Sequence, residues 1–188
     1  MDVVELRNDV GLVRTKEVLV LNTPLVINTL QAMREYEPNK LNFGDVEVLG
    51  FGRTTKYEPA WALGNQLFAA KLTLVKCDRT TWSFCICAMS GSDNPRGVCS
   101  GDSGGPMVYN GSQIGITSMG PQECSRNNIS GATTITSVFT TLHQYADIIT
   151  RTIDDRKGSK QMTLIYGSDN RLIPHCTMVL FLLCFLFA

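Results

Sequence analysis

Along most of the chain, apolar residues come in short runs rich in Val, Ile, Thr and Phe, separated by Gly, Asn, Pro and Ser clusters. Such β-branched and aromatic runs bounded by turn residues predict mostly β structure. The runs place strands at 44–52, 66–75, 107–109, 113–119 and 133–138. Glu58-Pro59, Asp93-Asn94-Pro95 and Asn110-Gly111 mark turns between them. One segment departs from this pattern. Over 139–153, Phe139, Leu142, Tyr145, Ala146, Ile149 and Ile153 recur at steps of three and four, which predicts a helix with one buried stripe. The glycines and β spacing elsewhere exclude a helical bundle, and there is no internal repeat.

The pattern changes again after the helix. Residues 154–173 begin DDRKGSK and read as a polar linker, and residues 174–188 are an apolar tail, PHCTMVLFLLCFLFA. The tail is short of the roughly 20 apolar residues that a membrane-spanning helix needs. It fits a carboxyl-terminal signal for a glycolipid anchor, with Gly167-Ser168-Asp169 as the small-residue site, a polar spacer and an apolar end. The alternative is a membrane-associating or poorly packed extension; in either reading the tail lies outside the folded domain. At the other end, MDVVELRNDV lacks the basic start and apolar stretch of a signal peptide, so either the protein is not exported or its beginning is absent.

Composition narrows the function. The 188 residues carry 17 Lys and Arg against 17 Asp and Glu, and zero net charge gives no electrostatic footprint for nucleic acid or an acidic partner. Only 18% of residues are charged, below the roughly 25% usual for soluble domains, a shortfall that a buried segment or an apolar tail accounts for. The seven cysteines lack the paired spacing of a metal site, so they imply an oxidising compartment and no metal or other cofactor. The sequons Asn110-Gly111-Ser112 and Asn128-Ile129-Ser130 agree with an extracellular or cell-surface location. Only two histidines are present, His143 and His175, both in the last third of the chain.

The chemistry concentrates in GVCSGDSGGP, from Gly97 to Pro106. A serine among glycines can hold its hydroxyl exposed on a tight turn, while neighbouring backbone N–H groups converge on one point. That arrangement stabilises the oxyanion formed when a serine attacks a carbonyl. GDSGG also fits the GxSxG elbow of α/β-hydrolases, for which Glu123 and His143 supply acid and base in the right order. The elbow requires a following helix, however, and Pro106 with the strand-like MVYNGSQIGITSM follows instead, so the elbow is rejected.

The sequence resembles the chymotrypsin-like serine proteases. GDSGGP matches their nucleophile signature, Asn8-Asp9-Val10-Gly11-Leu12-Val13 resembles the segment that carries their triad aspartate, Gly50-Phe51-Gly52 the turn opening their second barrel, and Ser118-Met119-Gly120 their substrate-pairing strand. The resemblance covers about residues 5–153. It implies an all-β double barrel with one carboxyl-terminal helix: 1–42 a remnant of the first barrel and the interdomain linker, 43–153 a complete second barrel with its closing helix. It also implies disulfides Cys99–Cys124 and Cys77–Cys87, with Cys85 as the alternative partner of Cys77. A third family disulfide would need cysteines at both Val46 and Tyr109, and both lack one, leaving Cys85, Cys176 and Cys184 over.

Roles follow position by position. The resemblance makes Ser103 the nucleophile, Asp9 the group that orients the base, and the N–H groups of Gly101 and Ser103 the oxyanion hole. Asp102 becomes the carboxylate that pairs with the α-ammonium released by activation cleavage. Gly97 lies at the base of the primary specificity pocket, where the lack of an acid favours an apolar side chain over Lys or Arg; Ser118 and Gly120 border the substrate.

The family order is histidine, aspartate, serine, and no histidine precedes Asp9. His143 falls on the closing helix and His175 in the tail. The signal peptide, base histidine and activation site are absent together, which one missing amino-terminal portion explains; a double barrel takes roughly 200 to 250 residues. Two function classes follow: a serine endopeptidase acting on protein or peptide, inactive as this chain alone, or a non-catalytic homologue serving as a secreted or surface binding module. Open strand edges in half a first barrel predict a third outcome, a product prone to aggregate.

Overall fold

The computed structural model describes residues 8–12, 30–41, 44–54, 66–77, 84–91, 96–121, 124 and 136–155. Six strands, β1 (Asp45–Gly50), β2 (Phe68–Val75), β3 (Cys85–Met89), β4 (Pro106–Tyr109), β5 (Ser112–Met119) and β6 (Thr136–Thr141), close into one antiparallel barrel in the order β1-β2-β3-β6-β5-β4. Closure pairs both edges of every strand, which removes the open edges that invite aggregation. The interior is filled at period two: Val46 and Val48 from β1, Leu72 and Leu74 from β2, Ile86 and Ala88 from β3, with Met107, Ile114 and Phe139 from the remaining strands. Each large side chain fully buried there contributes about 1.5–3 kcal/mol.

The Asn110-Gly111 turn joins β4 to β5, with φ of 47° and 74° at its two central residues. Two consecutive left-handed residues make the tight hairpin turn whose twist matches the strands, which is why Asn-Gly is found there.

Helix α1 (Leu30–Glu35) and helix α2 (Ala146–Asp154) lie outside the barrel, with a 3-10 turn, His143–Tyr145, leading into α2. Met33 of α1 packs with Ile116, Leu142, Tyr145, Ala146 and Ile149 in a second core, against which Val10, Leu12 and Ile153 rest. Arg34 joins the helices through Asp147 at 3.1 Å, an exposed pair that adds little.

Three expectations change. The helix expected over 139–153 begins at Ala146, and Phe139 belongs to β6. Val138 to Thr141 are β-branched or aromatic, pair with both β3 and β5, and turn Phe139 wholly into the barrel, so strand pairing overrides the three-and-four spacing. β3 was missing from the expected strands because CICAM is an unbroken apolar run without alternation. Helix α1 adds to the single carboxyl-terminal helix expected, since six residues are too few to show a period.

Before Asp45 the described residues contain no strand. The turns at Glu58-Pro59 and Asp93-Asn94-Pro95, the sequon at Asn128, Glu123, Gly167-Ser168-Asp169, His175, Cys176, Cys184 and the 174–188 tail lie outside the described residues. Among the described residues, no helix is long and apolar enough to cross a membrane.

Candidate functional site

The loop from Gly97 to Gly105 is pinned on all sides. Gly97 N–H donates to the Cys124 carbonyl at 3.0 Å, Val98 N–H to Ser137 Oγ at 3.1 Å, and a disulfide joins Cys99 to Cys124. Its far end is stitched to β5, with Gly104 N–H donating to Thr117 O and Thr117 N–H to Gly105 O, both at 2.9 Å. Gly101 sits at φ 99°, a backbone conformation that a side chain opposes. The turn leaves Ser103 exposed, and among the described residues neither Gly101 N–H nor Ser103 N–H has an acceptor. Two uncommitted backbone donors beside an exposed hydroxyl can hold a developing oxyanion.

Asp102 points away from that side. Its carboxylate accepts from Gly52 N–H and from Cys99 N–H, each at 2.8 Å, which locks the loop to the end of β1. A Cβ at Gly50 or Gly52 would overlap this carboxylate, so both glycines are needed for the close approach. Beside Asp102 lies a pocket of about 80 Å³, walled by Val48, Gly50, Arg53, Phe68, Ala70 and Val98. Arg53 Nε is buried there without an acceptor among the described residues.

Asp9 comes from the segment before α1. Val10 and Leu12 anchor that segment in the second core, and Asn8, at φ 56°, accepts a hydrogen bond from Tyr145 Oη at 2.8 Å. The β5–β6 register shifts between Thr117 and Met119, so Ser118 is the extra residue of a bulge. A bulge re-aims its side chain, and the Ser118 hydroxyl donates to Asp9 Oδ2 at 2.5 Å. Ser103's loop and Asp9 are thereby both attached to β5, one through Thr117 and one through Ser118. Gly120 closes against the Val98 carbonyl so tightly that no Cβ fits.

His143 takes no part in this arrangement: its Nδ1 lies 3.2 Å from the Met33 carbonyl, on the α1 side. It stands in the 3-10 turn ahead of α2, not on the helix itself. Behind Asp9, the Cys85 thiol is pushed up to about 11, by burial first and then by Asp9. Tyr145 is pushed up to about 12 by burial, Cys85 and Asp9, against the lowering effect of Asn8. Among the described residues, no cluster of His, Cys, Asp and Glu could hold a metal ion.

Three contributors escaped sequence reasoning. In the sequence Tyr145 shows only as part of a helical stripe, and its hydroxyl as an anchor for Asn8 leaves no trace in the pattern. Ser137 falls in an alternating run, with nothing to distinguish it as the acceptor for Val98. The bulge that turns Ser118 toward Asp9 depends on a register that only the folded sheet supplies.

Comparison with known proteins converges. A trypsin family model matches residues 2–149. Chymotrypsin-2 of Vespa crabro is 33% identical over 153 residues, covering 78% of this chain and 62% of that protein. Kallikrein-8 of Mus musculus is 30% identical over 128 residues, covering 68% of this chain and 39% of that protein. The phenoloxidase-activating enzyme of Bombyx mori is 25% identical over 167 residues, with coverages of 79% and 36%. A solved structure of a mutant of human heparin binding protein shares the fold at TM-score 0.50 and 21% identity, over 62% of this chain and 47% of that one. The chain thus spans 36% to 62% of the length of these relatives.

Proposed function

Because the chain belongs to the trypsin family of serine proteases, we propose that it carries the acylating half of a serine endopeptidase site acting on protein or peptide. Ser103 is the nucleophile, and the N–H groups of Gly101 and Ser103 form the oxyanion hole. Asp9, held by Ser118, is the carboxylate that orients a base. Gly97, Ser118 and Gly120 border the substrate, with an apolar side chain favoured above Gly97. The observation that carries this reading is the pair of uncommitted N–H groups beside an exposed Ser103, on a loop stitched to the strand that holds Asp9.

In this reading residues 43–153 are the second barrel, 1–42 belong to the first barrel and its linker, and 154–173 lead to a 174–188 tail that associates with a membrane or directs a glycolipid anchor. Two disulfides support an extracellular or cell-surface location. The pocket beside Asp102 receives an α-ammonium and its aliphatic side chain, and the buried Arg53 Nε offers a donor to that residue's carbonyl.

The chain by itself does not turn over peptide. Proton removal from Ser103 needs an acceptor, and His143 is occupied at Met33. That same observation favours a second reading, a non-catalytic homologue that binds without cleaving. The two separate in an ester-hydrolysis assay with added imidazole as a diffusible base. The endopeptidase reading expects no rate above background without imidazole and a saturable rate with it, lost in Ser103→Ala. Equal rates in the Ser103→Ala variant would favour the binding module.

A further inference from the structure

Three cysteines meet on the outer face of the barrel. Ile86 and Ala88 of β3 turn inward, while Cys85 and Cys87 alternate to the other side, where they pack with Val75, Cys77, Met119 and Val138. Cys87 is bonded to Cys77, and Cys85 keeps its thiol. The β2–β3 register pairs Leu74 with Ala88 and Val75 with Cys87; continued by two residues on each strand, it sets Cys77 opposite Cys85. The two residues are neighbours in space, with Cys77 Sγ 3.8 Å from the Cys85 carbonyl oxygen. Side chains directly opposite on antiparallel strands have Cβ atoms roughly 4.5–5.5 Å apart, close to the roughly 3.5–4.5 Å that a disulfide requires.

We propose that Cys77 carries an exchangeable crosslink, which isomerises between Cys87 and Cys85 and serves as a thiol-driven switch behind Asp9. The Cys85 thiolate attacks Cys77 Sγ; the Cys85–Cys77 bond forms as the Cys77–Cys87 bond breaks. The electron pair leaves on Cys87 Sγ, which takes up the proton that Cys85 gave away. Nothing is oxidised or reduced overall, so no external oxidant is needed.

Among the described residues, the titratable groups facing Cys85 are Asp9 from the segment before α1 and Tyr145 from the 3-10 turn; across the ladder, β6 presents Thr140, which does not titrate. Exchange converts the thiol beside Asp9 into a half of a disulfide, and so alters the surroundings of the carboxylate that Ser118 holds. With the thiol pushed up to about 11, thiolate is scarce at neutral pH, and the exchange accelerates about tenfold per pH unit up to that value. The proposal stands on the cysteine cluster and does not depend on Ser103 being reactive.

The test is disulfide mapping by mass spectrometry of the full chain, alkylated after incubation at pH 7 and at pH 10. The expected starting species has Cys77–Cys87 with alkylated Cys85. Cys77–Cys85 with alkylated Cys87 then accumulates roughly a thousandfold faster at pH 10, while Cys99–Cys124 stays intact. In Cys87→Ser the Cys77–Cys85 bond forms outright. Cys77–Cys87 remaining the sole pairing of Cys77 at both pH values overturns the proposal. So does Cys85 linked instead to Cys99, Cys124, Cys176 or Cys184, or a folded Cys87→Ser protein in which Cys77 and Cys85 are both alkylated. If Cys87→Ser does not fold, the unsubstituted time course decides.

Discussion

The bond from Tyr145 Oη to Asn8 helps to place Asp9. It fixes a left-handed residue one position before the carboxylate, at 2.8 Å. Tyr145→Phe removes the donor and leaves Asn8 Oδ1 to solvent, and the expected loss is about 1 kcal/mol in urea unfolding. The hydroxyl also sets an alkaline limit. Folding raises the Cys85 thiol from 9.0 to about 11 and the Tyr145 phenol from 10.0 to about 12. Above the unfolded values the unfolded chain has lost protons that the native chain retains, so stability is full below pH 9 and falls as pH climbs toward 12. A thermal midpoint that drops over this interval, with a smaller drop in Cys85→Ser, is the expected result; a flat profile to pH 12 would contradict it.

Among the elements, β6 has the greatest consequence. Phe139 is wholly buried inside the barrel, and Phe139→Ala is expected to cost about 3–5 kcal/mol, measured by denaturant unfolding. Ile149, which anchors α2, should cost about 2–5 kcal/mol as Ile149→Ala, and the half-buried Ile153 distinctly less. The Arg34–Asp147 pair should show under about 1 kcal/mol of coupling in a double-mutant cycle and lose it in high salt. These sites also show what the sequence could reveal. Short β-rich runs between turn residues marked β1, β2 and β5, and Asn110-Gly111 marked the turn ahead of β5. The continuous run of β3 and the coincidental spacing across Phe139 wrote no usable period, and a six-residue helix writes none at all. At the site, the tight turn of the Gly97–Gly105 loop was legible because its glycines serve the loop's own backbone. The bulge at Ser118 and the tyrosine anchor were not, since both arise where distant elements meet.

For the molecule as a whole, the closed barrel is a scaffold that brings two pieces of chemistry to one strand. β5 grips the Ser103 loop through Thr117 and Asp9 through Ser118, while two disulfides fasten the outside. Among the described residues, His143 is turned to Met33 and takes no part at the Ser103 loop. If the Ser103 loop is the proposed nucleophile loop, it should be singled out by a reagent that mimics the tetrahedral intermediate once a base is supplied. The most direct measurement is peptide mapping of the chain after fluorophosphonate treatment in imidazole buffer. A single adduct on Ser103, which forms far more slowly without imidazole, is the expected result. Adducts scattered over several serines, or an unchanged adduct level in Ser103→Ala, would contradict the assignment of an oxyanion site to this loop.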